Sequence, residues 1–228
     1  KQGFKNNKTK KHFISFLICL FLTLNAYLLI AYVFFYTDQI SWFFKISLCF
    51  LPLMFAVIEL SFKRILFSNF SFFLRLRIGL IAGFSLPFVF VLQTISKPLV
   101  FIALSCVFLT DTMAYFGGKY FGKTPLSALS PKKTKEGAFV GSFCATLLGI
   151  AYCLISQTSF LFVFIFLMCS LVSQIGDLHE SLFKRSFNAK DSGSFLPGHG
   201  GFYDRCDSAL LGAPFFLGCY LIATYFGI

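Results

Sequence analysis

The sequence predicts an all-α, polytopic integral membrane protein with about seven transmembrane helices and a cytoplasmic N-terminus. Three observations carry that prediction. Of 228 residues, 57% are hydrophobic and 13% charged, with a mean hydropathy of +0.79, whereas soluble domains carry about 25% charged residues. The apolar residues gather in runs long enough to cross a bilayer, roughly 17–25 residues. Basic residues recur in every second connection, the pattern that marks cytoplasmic loops.

The first run, 13–36, follows Lys1, Lys5, Lys8, Lys10 and Lys11. It exceeds the about 7–15 apolar residues of a signal peptide and has no small-residue cleavage site, so it reads as a retained span. Asp38 marks its far side. Further runs cover 41–60, 78–95, 98–116, 137–156, 159–176 and 205–227. Pro87 and the glycines within them are tolerated, because neighbouring helices can satisfy freed backbone groups.

Lys63, Arg64, Arg75 and Arg77 fall in the second connection. Lys119, Lys123, Lys132, Lys133 and Lys135 fall in the fourth, and Lys184, Arg185, Lys190 and Arg205 in the sixth. The other connections hold Asp38, Lys97 and the uncharged Gln157-Thr158. Segment 61–77 mixes Phe, Leu and Arg, which suits either a basic amphipathic helix on the membrane surface or an ordinary basic loop. With no repeat of fixed period, residues 1–228 form one integral-membrane domain. Residues 1–97 contribute spans of low motif content and 98–228 the chemistry.

The formal charge of +11 raises nucleic acid as a partner. The bases, however, sit in short clusters between apolar runs instead of covering a polar surface, so they read as topology signals. The eight cysteines include no C-x-x-C pair, which argues against a disulfide framework or a zinc knuckle and for packing thiols.

Ionisable residues concentrate in 176–208, GDLHESLFKRSFNAKDSGSFLPGHGGFYDRCDS. Charges at a membrane edge are costly, so such a cluster points to a functional site. Asp177, Ser181 and Lys184 share one helix face at i, i+4 and i+7, and Glu180 can pair with Lys184 at i+4. Asp204 and Asp207 share a face of the opening turn of the last span. Asp177, Asp204 and Asp207 can therefore converge from two helix ends, and carboxylate oxygens are the ligands Mg²⁺ prefers. His179 and His199 suit zinc less well, since His179-Glu180 lacks the second His of H-E-x-x-H.

Two upstream stretches add to this. Asp111 follows a dozen apolar residues and needs a partner or a cation. Residues 117–124, GGKYFGKT, spell G-x-x-x-x-G-K-[ST], but a P-loop requires a preceding strand and a following helix. Here an apolar helix precedes and Pro125 follows, so the spelling is read as chance. Glycines and lysines, continued by Ser130-Pro131-Lys132-Lys133-Thr134, still suit contact with phosphates.

Ser181, Lys184, Arg185, Lys190, Asp191, Gly193 and the run from Leu196 to Asp207, with His199, Gly200, Gly201, Asp204 and Arg205, together resemble the signature of the phosphatidate cytidylyltransferases. Cys206 departs from it, standing where an aliphatic residue or Thr is expected. Asp111-Thr112-Met113-Ala114-Tyr115 and Ser130-Pro131-Lys132-Lys133-Thr134 look like that family's upstream motifs. The resemblance covers about the C-terminal half.

It implies transfer of a cytidylyl group from CTP to phosphatidic acid in phospholipid biosynthesis, giving CDP-diacylglycerol and pyrophosphate, with Mg²⁺ required and a second metal ion left open. On that reading Asp177, Asp204 and Asp207 hold the metal. Lys184, Arg185, Lys190 and Arg205 grip the nucleotide or the lipid headgroup, with Ser181, Lys119, Lys132 and Lys133 beside them. Asp191 and His199 join the catalytic set by resemblance alone. The implied partners are CTP, phosphatidic acid and membrane lipids, with a homodimer left open. The implied location is the cell membrane, with the site facing the cytoplasm. An ion-coupled transporter is the reading from another class, but transporter sites lie near the midplane of repeated halves. A CTP-dependent lipid kinase is the third, and would release CDP.

Overall fold

A chain crossing hydrocarbon must satisfy its own backbone polar groups, which favours helices packed side by side. The computed structural model describes residues 42–62, 97–127, 130–186 and 203–227. Its elements are α1 (Trp42–Phe62), α2 (Lys97–Phe121), β1 (Pro125–Ser127), β2 (Ser130–Thr134), α3 (Lys135–Ser156), α4 (Leu161–Ser186) and α5 (Tyr203–Tyr225). Of Asp204 and Arg205 only the backbone is described.

Four of these helices, α2 to α5, are long and apolar enough to cross a membrane. They correspond to the runs 98–116, 137–156, 159–176 and 205–227. The run 41–60 is helical as α1. The runs 13–36 and 78–95, and the basic connection 63–77, lie outside the described residues.

α3 and α4 run antiparallel as neighbours because only residues 157–160 join them. α3 is capped by Gln157, whose φ of 52° takes the left-handed conformation that stops a helix. α4 begins four residues later, with Ser159 Oγ accepting from Leu161 N at 3.3 Å. α2 and α3 approach closely: a Cβ added at Gly141 would lie 2.6 Å from the Thr110 carbonyl oxygen. Small residues at such a seam let helix backbones touch where no hydrophobic effect drives association.

α5 is the central helix, with 67% of its apolar window buried against 28% for α2 and for α3. Its Phe216 meets Phe166 of α4 edge-on at 5.7 Å, and Cys106, Val107, Cys169 and Leu217 complete the buried middle. The seven cysteines among the described residues are free thiols, as the spacing predicts. Phe101, Phe108, Phe139, Phe143, Ile155 and Phe164 face outward and are exposed. Apolar surface of that extent belongs against acyl chains.

The helices outrun the apolar stretches. α2 continues to Phe121 and α4 to Ser186, about three turns past the end of its hydrophobic run at Gly176. Hydropathy reports the part in hydrocarbon, whereas the helix persists as long as amphipathic spacing and a favourable terminus support it. Lys119 closes α2, and Lys184 and Arg185 close α4, placing positive charge at the negative end of each helix dipole.

The fourth connection, rich in Ser, Pro and Lys, holds a two-stranded antiparallel hairpin, with Pro125 opposite Thr134 and Ser127 opposite Ser130. Pro125 is tolerated because it opens its strand, where no ladder donor is lost. Thr134, at φ −118° and ψ 153°, leaves β2 extended and caps α3, its Oγ1 accepting from Gly137 N at 3.2 Å.

Candidate active site

All the charged motifs of the described residues meet at one end of the bundle. That end is formed by the C-terminal turns of α2 and α4, the hairpin, and the N-terminal turns of α3 and α5. A cleft of about 400 Å³ opens there, lined by Asp111 and Lys119 of α2, Lys132 and Lys133 of β2, and Gln174 and Asp177 of α4, among others.

Behind Asp177 stands a group of carboxylates. Asp177, Glu180 and Asp207 each offer an oxygen within 4.8 Å of the others. Helix geometry brings the first two together, because i and i+3 share a face. Asp207 arrives from α5, and Gly176 makes that approach possible: a Cβ there would lie 2.8 Å from the Asp207 carbonyl oxygen and 3.3 Å from Ser208 Cα. With hydrogen at this position the α4 and α5 backbones nearly touch where their acids must face one another.

Three like charges so close repel, each ionised pair by about 4 kcal/mol at an effective dielectric of about 20. Two lysines offset part of this. Lys133 Nζ pairs with Asp177, delivered by the hairpin. Lys184 Nζ pairs with Glu180 Oε2 at 2.7 Å, the i, i+4 pairing expected from the sequence. Asp207 Oδ1 accepts from Ser208 N at 2.8 Å. Asp111 lies across the cleft within electrostatic range of Asp177 and Lys133. Ser208 Oγ sits beside it, buried and short of good hydrogen-bond geometry.

An all-oxygen donor set with negative charge to spare fits a hard divalent cation of the Mg²⁺ or Ca²⁺ kind, not zinc, which favours nitrogen and sulfur. His179 is buried in α4 and is not part of the carboxylate group.

The sequence-predicted residues divide as follows. The structure brings Asp177 and Asp207 together, and sets Lys119, Lys132 and Lys133 on the cleft. Ser181 is buried one turn beyond Asp177 and is not among the cleft-lining residues; Lys184 is held by Glu180, and Arg185 is exposed. Asp204 lies in the first turn of α5, but its side chain, that of Arg205, and the whole of Lys190, Asp191 and His199 are outside the described residues. Glu180 is the carboxylate that sequence reasoning assigned to ion pairing alone. Its i+3 spacing from Asp177 was the available signal.

The P-loop spelling is resolved here. Residues 117–121 are the last turn of α2, not a loop. The following turn is buckled to α3 by Glu136, whose carboxylate accepts from Lys123 N at 3.1 Å, Thr124 N at 3.2 Å and Thr124 Oγ1 at 2.8 Å.

An apolar helix bundle with carboxylates and lysines gathered at one rim has the parts of a membrane enzyme acting on phosphates. The sequence model of the cytidylyltransferase family matches residues 4–223, and the chain belongs to that family. The phosphatidate cytidylyltransferase of Helicobacter pylori (strain ATCC 700392 / 26695) is 46% identical over 112 residues, covering 48% of this chain and 42% of that protein. Phosphatidate cytidylyltransferase 4, chloroplastic, of Arabidopsis thaliana is 42% identical over 151 residues, covering 60% and 39%. The phosphatidate cytidylyltransferase of Staphylococcus aureus (strain COL) is 39% identical over 175 residues, covering 74% and 65%. The matched region is thus less than two thirds of each relative's own length.

Proposed function

We propose that this chain transfers the cytidylyl group of CTP to phosphatidic acid, giving CDP-diacylglycerol and pyrophosphate. The observation that carries the reading is the carboxylate group of Asp177, Glu180 and Asp207 opening through Asp177 onto a lysine-lined cleft. A phosphate oxygen of the lipid attacks the α-phosphorus of CTP, and the bond from that phosphorus to the pyrophosphate oxygen breaks. Such transfers need positioning and charge neutralisation more than acid–base chemistry.

Asp177, Glu180 and Asp207, with Asp204 from the same turn of α5, would hold Mg²⁺, singly or as a pair of ions. The metal supplies Lewis-acid neutralisation of the phosphate charge. Lys119, Lys132 and Lys133 receive the anionic groups entering the cleft. Lys184 pairs with Glu180 at the edge of the carboxylates, and by family resemblance Lys184, Arg185, Lys190 and Arg205 grip the nucleotide or the lipid headgroup, with Ser181, Asp191 and His199 completing the set.

The same reading gives the chain seven spans, a cytoplasmic N-terminus and a place in the cell membrane, with residues 98–228 as the catalytic half. The lipid cannot leave the bilayer cheaply and the nucleotide is soluble, so a rim site serves both. The test is radiolabelled CTP with phosphatidic acid, with and without Mg²⁺. Mg²⁺-dependent CDP-lipid with release of pyrophosphate is expected. Release of CDP would identify a lipid kinase instead, and no turnover of CTP would end the enzymatic reading.

A further inference from the structure

The cleft is not closed on the side of α3 and α4. An adjoining groove of about 320 Å³ runs between these helices, walled by Phe139, Phe143 and Thr146 of α3 and Leu167 and Leu171 of α4. Ala138 and Gln174 line both cleft and groove, so the two meet there.

The polar groups of the groove floor are already engaged with one another. Gln174 Nε2 donates to the Ala138 carbonyl at 3.2 Å and to Ser142 Oγ at 2.9 Å. Ser170 Oγ donates to Ser142 Oγ at 3.0 Å, and Thr146 Oγ1 donates to the Ser142 carbonyl at 2.8 Å. With these groups tied into the helix–helix seam, what the groove offers an occupant is hydrocarbon. Phe139 and Phe143, stacked at 6.4 Å and exposed, form its outer rim.

We propose that this groove seats one acyl chain of the phospholipid whose phosphate enters the cleft, with Gln174 and Ala138 as the sill over which the chain passes. The proposal rests on the phosphatidic acid reading above. The occupant follows from continuity and charge: lysines on one side of the sill suit an anionic headgroup, and the apolar trough on the other suits the tail attached to it. A nucleotide has no group for such a trough. The exposed aromatic rim lies on the outward face, so the tail enters from the bilayer without crossing water.

The experiment has two arms on the full chain in detergent or nanodiscs. The first compares dioleoyl with dioctanoyl phosphatidic acid in Leu171→Trp and Thr146→Leu, which fill the groove, and in Phe108→Trp, which enlarges an exposed side chain elsewhere on the lipid face. The ratio of kcat/KM for the long over the short lipid should fall about tenfold in the first two and stay unchanged in the third. An unchanged ratio in all three overturns the proposal.

The second arm needs no turnover. Phosphatidic acid carrying a diazirine in its acyl chain should label residues 139–146 and 167–171 in preference to phosphatidylcholine with the same chain. Equal labelling by both means ordinary boundary lipid and overturns the proposal. Preferential labelling without any CDP-lipid formation would instead keep the chain seat and refute the transferase reading.

Discussion

The two ends of the helix bundle are built from the same four apolar helices and differ in the charge they collect. At the far end, a cavity of about 600 Å³ is bounded by Pro98, Tyr152, Ser156, Tyr220 and Thr224 among others, with hydroxyls but no carboxylate or lysine among its described residues. At the near end the cleft is smaller, about 400 Å³, yet it collects Asp111, Asp177 and three lysines. Volume therefore does not mark the site. A charge at a membrane rim costs free energy wherever it stands, so four acids converging on one edge are what favours that end as the proposed site.

The sharpest way to break this contrast is to remove one charge at the near end and one hydroxyl at the far end. Asp177→Asn keeps the shape but weakens both the carboxylate group and its face on the cleft. We expect turnover to fall about a thousandfold, with thermal stability in detergent within about 1 kcal/mol of the parent, since one repulsive partner is lost along with one ion pair. Tyr220→Phe at the far end should keep turnover within about twofold. Comparable losses in the two variants would show that the ends are not functionally distinct.

Lys133→Ala probes the near end from the other sign of charge. The lysine is half-buried against Asp177 and faces the cleft from the hairpin. Its loss should lower kcat/KM about a hundredfold, with the larger share in KM, because a phosphate partner is removed and Asp177 is left without its base. A change in stability with normal kinetics would reduce Lys133 to a structural brace.

A third comparison separates packing from placement. Gly149 and Gly176 are both tight: an added Cβ would lie 2.9 Å from Phe166 Cβ in the first case and 2.8 Å from the Asp207 carbonyl oxygen in the second. Ala at either should cost about 1–3 kcal/mol of stability. Only Gly176→Ala moves α5 relative to Asp177, so only it should lose turnover at a temperature where both remain folded, by about tenfold. Equal activity in the two would mean that the carboxylate spacing tolerates such a shift.

What the sequence made legible follows from which signals are local. Runs of apolar residues show α2 to α5 because a span must be long and uninterrupted, and the i+4 spacing of Glu180 and Lys184 shows their ion pair. The closeness of Asp177 to Asp207 was legible as a possibility, since both lie near helix ends on the same predicted side. What hydropathy could not show is the hairpin, which is held by two strands of three and five residues and by Glu136 across the α2–α3 turn. Nor could it show Glu180 as part of the carboxylate group. Its pairing with Lys184 is visible along one helix, whereas its distance from Asp207 depends on how closely Gly176 lets two helices meet.

The P-loop spelling offers the smallest expected effect and a clean decision. In a phosphate-cradling loop the lysine of G-K-T contacts the nucleotide directly, and its removal is disabling. Here the first five positions of the motif are helix, and what holds Lys123 is its backbone N–H bonded to Glu136, not its side chain, which is exposed. Lys123→Ala leaves that hydrogen bond and the Thr124 hydroxyl bond intact, so the buckle between α2 and α3 survives. We expect CTP turnover and apparent KM within about twofold of the parent. A loss near that of Asp177→Asn would place the nucleotide's phosphates at the α2–β1 turn. It would then be the lysine row on β2, and not residues 122–124, that merely sets topology.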